Sequence, residues 1–503
     1  MSPPFRAAPP AVLVCALAAA GLGAALGAPL GAPPGTQPGT SSAPAVSSAP
    51  TPRSAPAAAN ADAVVLAGAA SRTITPEVGG AASPVGLAGF SEARLALGIL
   101  DDLEARALVL EAGGGAVTLV ALDLYGLARS DVVRMEEAIR ARVPGAATAG
   151  VLIACTRTHA APDATGQFSG PGAGVDPAWL ARVTGAAADA VEEAWRIRQP
   201  ARLSFASARL PRLLSDGRRP TRIDDHAWLL RVESAAGHIG IAALAVFAAS
   251  PETLGRAERR ISADYPGAVR RALEDAFGGV GIFLVGPSGG SMMPVAPAAP
   301  PAGGGAPPGV AAQAPSYGEA VARALVVAWS GRRDGPEAVA PDATRGALRL
   351  RSRVVEIAVD NTALREAIAA GRRRARLAPS GALESSVAIL SVTTGGSPLF
   401  DLACVPGEAY PELVDGGIQE PQDPAADRRG EPAERALRSM LRAPVRFVAG
   451  ACGDDLGDII PISEWDEKPP FAYGLAAAPR GEETSPGPRT APTLWAAFAE
   501  LLR

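Results

Sequence analysis

Five short polar runs interrupt the apolar stretches of this 503-residue chain. They are Cys155-Thr156-Arg157-Thr158-His159, Ser250-Pro251, the run GPSGGSMMP at 286–294, Pro406-Gly407-Glu408, and GDDLGD at 453–458. Their side chains suit hydrolytic chemistry. An imidazole such as His159 moves protons near neutral pH. The hydroxyls of Ser250 and Ser291 are nucleophiles when a base lies within hydrogen-bond reach. Glu408 and Asp458 offer carboxylates as acids or as oxygen ligands, and the Arg157 guanidinium can stabilise an oxyanion or hold carboxylates in place.

Each residue also has a plainer use. A lone strand-end histidine is more often a hydrogen-bonding structural group than a catalyst. His226 and His238 fall on an expected hairpin and read as packing or surface residues. Ser288 fits G-x-S-x-G after an apolar strand, but a nucleophile elbow requires a helix next, and a Pro-rich stretch follows instead. Asp454, Asp455 and Asp458 read either as a solvated loop or as a divalent-ion site; EF-hand spacing is absent. Asp264 is expected to cap a helix starting near Pro266.

The elements that would position these residues alternate. Strands are expected at 107–111, 117–124, 151–156, 228–233, 238–248, 281–285, 348–359, 387–393, 399–405 and 445–449. Helices are expected at 131–142, 177–196, 266–277, 317–329, 432–441 and 493–502. This pattern predicts an α/β fold, a mixed sheet with helices on its faces, and places the polar runs at strand ends where loops begin. No internal repeat is apparent.

Composition sets outer bounds. A hydrophobic fraction of 48% allows a sizeable core, and a net charge of −4 gives no nucleic-acid footprint. Three histidines in the whole chain restrict any imidazole metal site. Cys155, Cys404 and Cys452 form an odd set without C-x-x-C spacing, so neither a zinc ribbon nor a disulfide framework is expected. Residues 1–28 carry Arg6 and an Ala/Leu/Val-rich run, which reads as a signal peptide or an N-terminal anchor. Either way the rest is exported: secreted, periplasmic or tethered near a membrane. Residues 29–61 are Pro, Ala and Ser-rich and read as a disordered linker, and 296–315 as a low-complexity insertion within a folded region spanning 62–503.

Taken in order, the runs resemble the neutral/alkaline non-lysosomal ceramidase family. The matching segments are Ile74-Thr75-Pro76, GLAGF, DLEARA, VLIACTRTHAAPD, AVFAASPETLG, ISADYPG, GIFLVGPSGGSMMP, CVPGEAYPEL and DDLGDIIPISEWD. The resemblance implies that family's α/β catalytic domain and an N-acylsphingosine amidohydrolase. It further implies a zinc ion held by two histidines, a glutamate and a tyrosine, which acidifies water and polarises the amide carbonyl. The family's C-terminal immunoglobulin-like domain is expected to be absent, since only 30 residues follow Tyr473.

At the four ligand positions this sequence carries Arg157, Ser250, Glu408 and Asp458. The substrate-polarising histidine is kept as His159. The loop serine falls near Met293, with Ser291 just before it. Arginine only donates and stays protonated, so it cannot ligate zinc. Zinc is therefore not expected as a cofactor; if any metal binds, Glu408 and Asp458 are its ligands. The expected substitute is charge replacement, with Arg157 paired to Glu408 and Asp458 where the metal would sit. Three functions follow from this reading. One is a weakly active or inactive pseudoenzyme that binds an amide-linked lipid or small acyl ligand. The second is a metal-independent hydrolase with altered specificity, using His159 with Ser250 or Ser291. The third is a surface scaffold or interaction protein.

Overall fold

The computed structural model describes residues 62–79, 84–90, 93–168, 174–290, 292–295, 313–331, 340–418 and 422–503. The expected N-terminal export segment, the 29–61 linker, Ser291 and residues 296–312 lie outside them. Among the described residues no helix is long and apolar enough to cross a membrane.

The architecture is α/β with two mixed sheets. The first has eight strands in the order Val280–Val285, Gly240–Phe247, His226–Ser234, Gln199–Arg209, Leu66–Thr73, Glu104–Ala112, Gly115–Leu122 and Gly150–Cys155. Its two outermost pairs are parallel and the rest antiparallel. The second has five strands in the order Ala63–Val64, Arg345–Ile357, Leu383–Thr394, Ser397–Cys404 and Val445–Ala449, with only the last pair parallel.

Three apolar clusters make this a four-layer stack. The middle one lies between the sheets, where Phe205, Trp228 and Leu244 meet Leu390, Phe400 and Phe447. Phe205 stacks on Phe400 with ring centroids 5.4 Å apart, and Phe400 meets Phe447 edge-on at 4.8 Å. A second cluster joins the outer face of the eight-stranded sheet to helices Arg129–Arg142, Pro177–Arg196, Asp264–Phe277 and Gln313–Gly331. The third covers the other sheet with helix Thr490–Leu501, which contributes Leu494, Trp495 and Phe498. Each fully buried large apolar side chain of this kind contributes about 1.5–3 kcal/mol.

Local chemistry explains the boundaries. The Asp176 carboxylate accepts from the amides of Ala178 (2.8 Å) and Trp179 (3.1 Å), and Pro177 opens the helix without losing a hydrogen bond. That helix buries Trp179, Val183, Ala187, Val191 and Ala194 against the sheet. A Cβ at Gly68 would lie 2.0 Å from the Ala194 carbonyl oxygen, so only glycine permits this close helix-to-strand approach.

Some expected elements differ. The helix expected at 317–329 begins at Gln313, so the C-terminal end of the expected insertion is helical. The helix expected at 432–441 is only Leu437–Met440. Upstream of it the Arg435 carbonyl accepts from the Trp495 indole (3.0 Å) and the Glu434 carboxylate from the Ile462 amide (3.2 Å), so tertiary contacts replace the helical ladder. Asp264 does not cap from outside the helix. It is the first helical residue, at φ +57°, and its carboxylate accepts from Thr253 and from the amides of Leu254 (3.2 Å) and Tyr265 (2.6 Å). It thereby ties the helix to the loop carrying Ser250.

Candidate functional site

The carboxyl ends of the parallel strands from both sheets are laced together by backbone hydrogen bonds. The Cys155 amide donates to the Ala451 carbonyl (2.9 Å), Gly450 to Val285 (2.9 Å), Gly286 to Phe247 (2.8 Å), Ala451 to Gly407 (3.0 Å) and Cys452 to Val405 (3.0 Å). The polar runs at these ends are thus brought to one place, although they are far apart in sequence.

At its centre lies Arg157, 1% exposed. Its backbone adopts φ +68°, a left-handed conformation that costs a non-glycine residue of order 1 kcal/mol. This turns the side chain off the strand end into the protein. One guanidinium nitrogen donates to Asp455 Oδ1 (3.1 Å); the other donates to the Tyr125 hydroxyl oxygen (2.7 Å) and to Glu408 Oε1. The guanidinium carbon stands 4.0 Å from the Tyr125 ring centroid, adding a cation–π contact.

Glu408 and Asp458 are register partners in a short parallel pair, Glu408–Ala409 with Asp458–Ile459. Burial pushes the Glu408 carboxyl up to about 8 even though Arg157 opposes it, and Asp458 and Asp455 add to the rise. Burial also works against charge on Asp455, but Arg157 and Arg373 outweigh it and hold the group below the usual carboxylate range. Asp455 further accepts from the Gly457 amide (3.1 Å), and Arg373 donates to its carbonyl oxygen (2.7 Å).

The expected pairing of Arg157 with Glu408 and Asp458 is therefore met by Glu408 and Asp455. Asp458 accepts instead from the Thr484 hydroxyl (2.5 Å) and senses Arg157 and Arg218 only as nearby charges. Asp454 and Asp455 are 5% and 6% exposed, which corrects the solvated-loop reading. Asp454 accepts from the Ser385 hydroxyl (2.8 Å), and burial pushes it up to about 7. At the four positions where the ceramidase resemblance places zinc ligands, the residues do not fit the ion. None is an imidazole, one is a permanent cation, and that cation already contacts the best remaining ligand, Glu408.

His159 lies beside this cluster. Its ring meets Phe90 edge-on at 5.0 Å and Tyr125 at 5.2 Å. Its Nδ1 is 3.5 Å from Glu252 Oε2, close enough to feel the carboxyl, and makes no hydrogen bond. Burial, Arg157 and Arg94 lower the imidazole to about 3, while burial and Asp264 raise Glu252 to about 7. Between those values the proton of the pair rests on the carboxyl, and His159 is neutral. Glu252, Phe90, Thr253, Met293, Pro294 and Tyr317 line a cleft of about 210 Å³. Ser250 is 4% exposed, and no hydrogen bond joins its hydroxyl to His159. The Ser288 run continues into the strand Met292–Pro294, paired with Leu214–Asp216, and no helix follows to make an elbow.

Sequence reasoning did not single out Tyr125, Glu252 or Arg373. Glu252 had a signal, since it lies two places after Ser250 in the segment matched to a ligand loop. Arg373 lies in the GRRRAR run, whose other arginines include the surface pair Arg376–Glu384 at 2.8 Å. Elsewhere, ligand atoms of Asp224, His226 and Asp415 lie within 4.8 Å of one another. Arg438 bonds both carboxylates, at 2.8 Å to Asp224, so that site also already holds a cation. His226 stacks on Trp228 at 5.7 Å.

Two solved structures share this architecture. Neutral ceramidase from Pseudomonas aeruginosa matches with a TM-score of 0.63 at 16% identity, over 88% of this chain and 74% of that one. A ceramidase complexed with C2 matches with the same score and identity, over 88% of this chain and 75% of its own. No protein-family model and no curated protein matches the chain. The chain has a ceramidase-type fold. At this identity the likeness speaks for the fold and leaves the chemistry to be argued from the site.

Proposed function

We propose that this chain is an exported ceramidase-fold protein that binds a small amide or acyl ligand without hydrolysing it through a metal. The observation that carries the reading is the buried Arg157 guanidinium, bonded to both Glu408 and Asp455. A fixed cation there neutralises the carboxylates that would otherwise recruit a metal, and it repels a second cation.

The ligand site is the cleft beside His159. Typical ligand pockets measure ~300–1,000 Å³, so a cleft of about 210 Å³ suits one acyl or amide group rather than a whole large lipid. Phe90, Met293 and Tyr317 offer apolar contact to the acyl chain. Glu252, protonated below about 7, can donate a hydrogen bond to a carbonyl oxygen.

A second reading, a metal-independent hydrolase, draws support from the same Glu252, since a buried carboxyl raised to about 7 is suited to general-acid work. The described residues supply it with no serine hydrogen-bonded to His159. The open cleft weighs against a scaffold with its pocket closed.

The test combines zinc analysis of the purified chain, turnover of a fluorescent N-acylsphingosine, and equilibrium binding of a short fluorescent fatty amide. Substoichiometric zinc, no turnover and saturable binding are expected. Stoichiometric zinc with turnover would overturn the proposal, and turnover without zinc would establish the second reading in its place.

A further inference from the structure

Helix Arg129–Arg142 begins without a side-chain cap. The residue before it, Ala128, has no side-chain acceptor, and its carbonyl takes the amides of Asp131 (2.9 Å) and Val132 (3.2 Å). The amides of Arg129 and Ser130 come too early for an intrahelical partner, and this end carries roughly +0.5 of a charge from the helix dipole. The chain at 373–376 and the loop at 454–456 pack here. Together with Ala128 and Arg129 they line a cavity of about 20 Å³, to which Leu364 and Leu383 add apolar wall. It shares no residue with the cleft beside His159.

Two guanidiniums on its wall are short of partners. Arg129 and Arg373 are each 9% exposed. Arg129 reaches Glu136 at 3.5 Å through Nη1, and its Nε is buried without a hydrogen bond. Arg373 donates through Nη2 to the Asp455 carbonyl (2.7 Å), and its Nη1 is buried without a hydrogen bond. Buried charged donors left unpaired are costly and rare in native proteins. The nearby carboxylates are engaged elsewhere. Glu384 pairs with Arg376 (2.8 Å), and Asp131 with Arg134 (2.8 Å) and Arg374 (2.6 Å). Asp455 gives Oδ1 to Arg157 (3.1 Å), with Oδ2 3.5 Å from Arg373. Asp454 accepts from Ser385 (2.8 Å), and burial pushes it up to about 7, so below neutrality it is mostly protonated.

We propose that this cavity binds one small monovalent anion of the halide class, chloride above all, between the Arg129 and Arg373 guanidiniums at the start of helix Arg129–Arg142. A helix N-terminus favours an anion, and here two buried cationic side chains line the same space. A cavity needs ~10–15 Å³ to hold one water. About 20 Å³ therefore admits a single ion of that order and excludes sulfate, phosphate and organic carboxylates. A water molecule would accept hydrogen bonds but leave both charges uncompensated, whereas an anion answers both needs. By taking up the charge of Arg373, the ion leaves Asp455 to Arg157. It thus supports the buried charge cluster without entering the ligand cleft.

The experiment uses the full chain, exchanged into sodium gluconate and titrated with sodium chloride at constant ionic strength. Gluconate is too large for the cavity, and constant ionic strength removes any effect of screening. The melting temperature is expected to rise by about 1–2 °C and then level off, with half the rise at ~10 mM chloride. The chlorine NMR line of dilute chloride should broaden when the protein is added and sharpen again on competition with bromide. Both effects should disappear in Arg129→Gln and in Arg373→Met. Both should persist in Arg353→Gln, whose guanidinium pairs with Glu500 at the surface (2.6 Å). Arg373 also holds the Asp455 carbonyl, so if its variant folds poorly, Arg129→Gln decides. A melting temperature indifferent to chloride, or an unbroadened line, would assign the cavity to water and overturn the proposal. Broadening that survives Arg129→Gln would place the chloride elsewhere and overturn it equally.

Discussion

Replacing Arg157 by methionine tests the centre of the site. Methionine keeps the aliphatic stem and suffers the same left-handed backbone, so the conformational cost at φ +68° cancels between the two chains. What is lost is the guanidinium. Asp455 retains Arg373, at 3.5 Å, and the Gly457 amide, at 3.1 Å. Glu408 loses its ion-pair partner. Removing one member of a buried pair costs about 3–5 kcal/mol. The lower end applies near pH 7, because a carboxyl already raised to about 8 escapes by keeping its proton. Without Arg157 that carboxyl rises further, so the deficit must widen above pH 8, by ~1.4 kcal/mol for each additional unit until the new value is reached. The expected loss is thus about 3 kcal/mol at pH 7 and about 4–5 kcal/mol at pH 9. Denaturant unfolding followed by tryptophan fluorescence reads both. For a folded unit spanning residues 62–503, unfolding entropy of ~2.1 cal/mol/K per residue turns 3 kcal/mol into a melting shift of about 3 °C. The double variant Arg157→Met/Glu408→Gln should lose the extra alkaline deficit. A loss under about 1 kcal/mol at both pH values, or an alkaline deficit unchanged by Glu408→Gln, would refute the buried-pair reasoning.

Four other outcomes are expected. Glu252 is raised from 4.5 to about 7, so its contribution to stability is full below pH 4.5 and is lost as pH rises through 7. Glu252→Gln should therefore gain on the parent by roughly 3 kcal/mol between pH 5 and 8. His159 is depressed from 6.5 to about 3 and acts in the opposite sense, with stability lost as pH falls from 6.5 through 3; His159→Gln should lessen the acid sensitivity seen in thermal melts. Gly89→Ala should destabilise by about 1–3 kcal/mol and weaken fatty-amide binding, because at φ +73° its Cβ would lie 2.4 Å from His159 Cγ. Met293→Trp, projecting into the cleft, should weaken fatty-amide binding about tenfold or more, or ~1.4 kcal/mol, in a fluorescence titration while leaving the melting temperature unchanged.

The strand-end location of the polar runs was legible in the sequence, because apolar runs of strand length give way to polar or turn residues after Cys155, Ala249, Val285, Val405 and Ala449. The contact of Arg157 with Glu408 was legible too, since a cation at an expected ligand position needs an anion. The choice of Asp455 over Asp458 was not. It depends on the path of 451–457, where Ala451, Gly453 and Gly457 all have positive φ, at +44°, +106° and +81°. Strands Leu66–Thr73 and Gln199–Arg209 escaped notice because small residues give little alternation when both faces are covered. Helix Thr362–Ala369 is only eight residues long and half-buries just Leu364, Ala367 and Ile368, so its apolar stripe spans a little over one turn and is too short to stand out. The doubling of the sheet is a tertiary fact, written in which faces Phe205 and Phe400 share rather than in any local pattern.

Arg157 is separated by 251 residues from Glu408 and by 298 from Asp455. The cation is therefore synthesised long before either partner, and the strand that carries it borders Ala451 and Cys452 from the far end of the chain. Closing loops of that length carries a large entropy cost before any contact repays it. The eight-stranded sheet with its helices can collapse first, while the Arg157 side chain stays in water until the second sheet docks. Assembly of the charge cluster then coincides with the last step of folding, so weakening it should mainly speed unfolding and leave the folding rate almost unchanged.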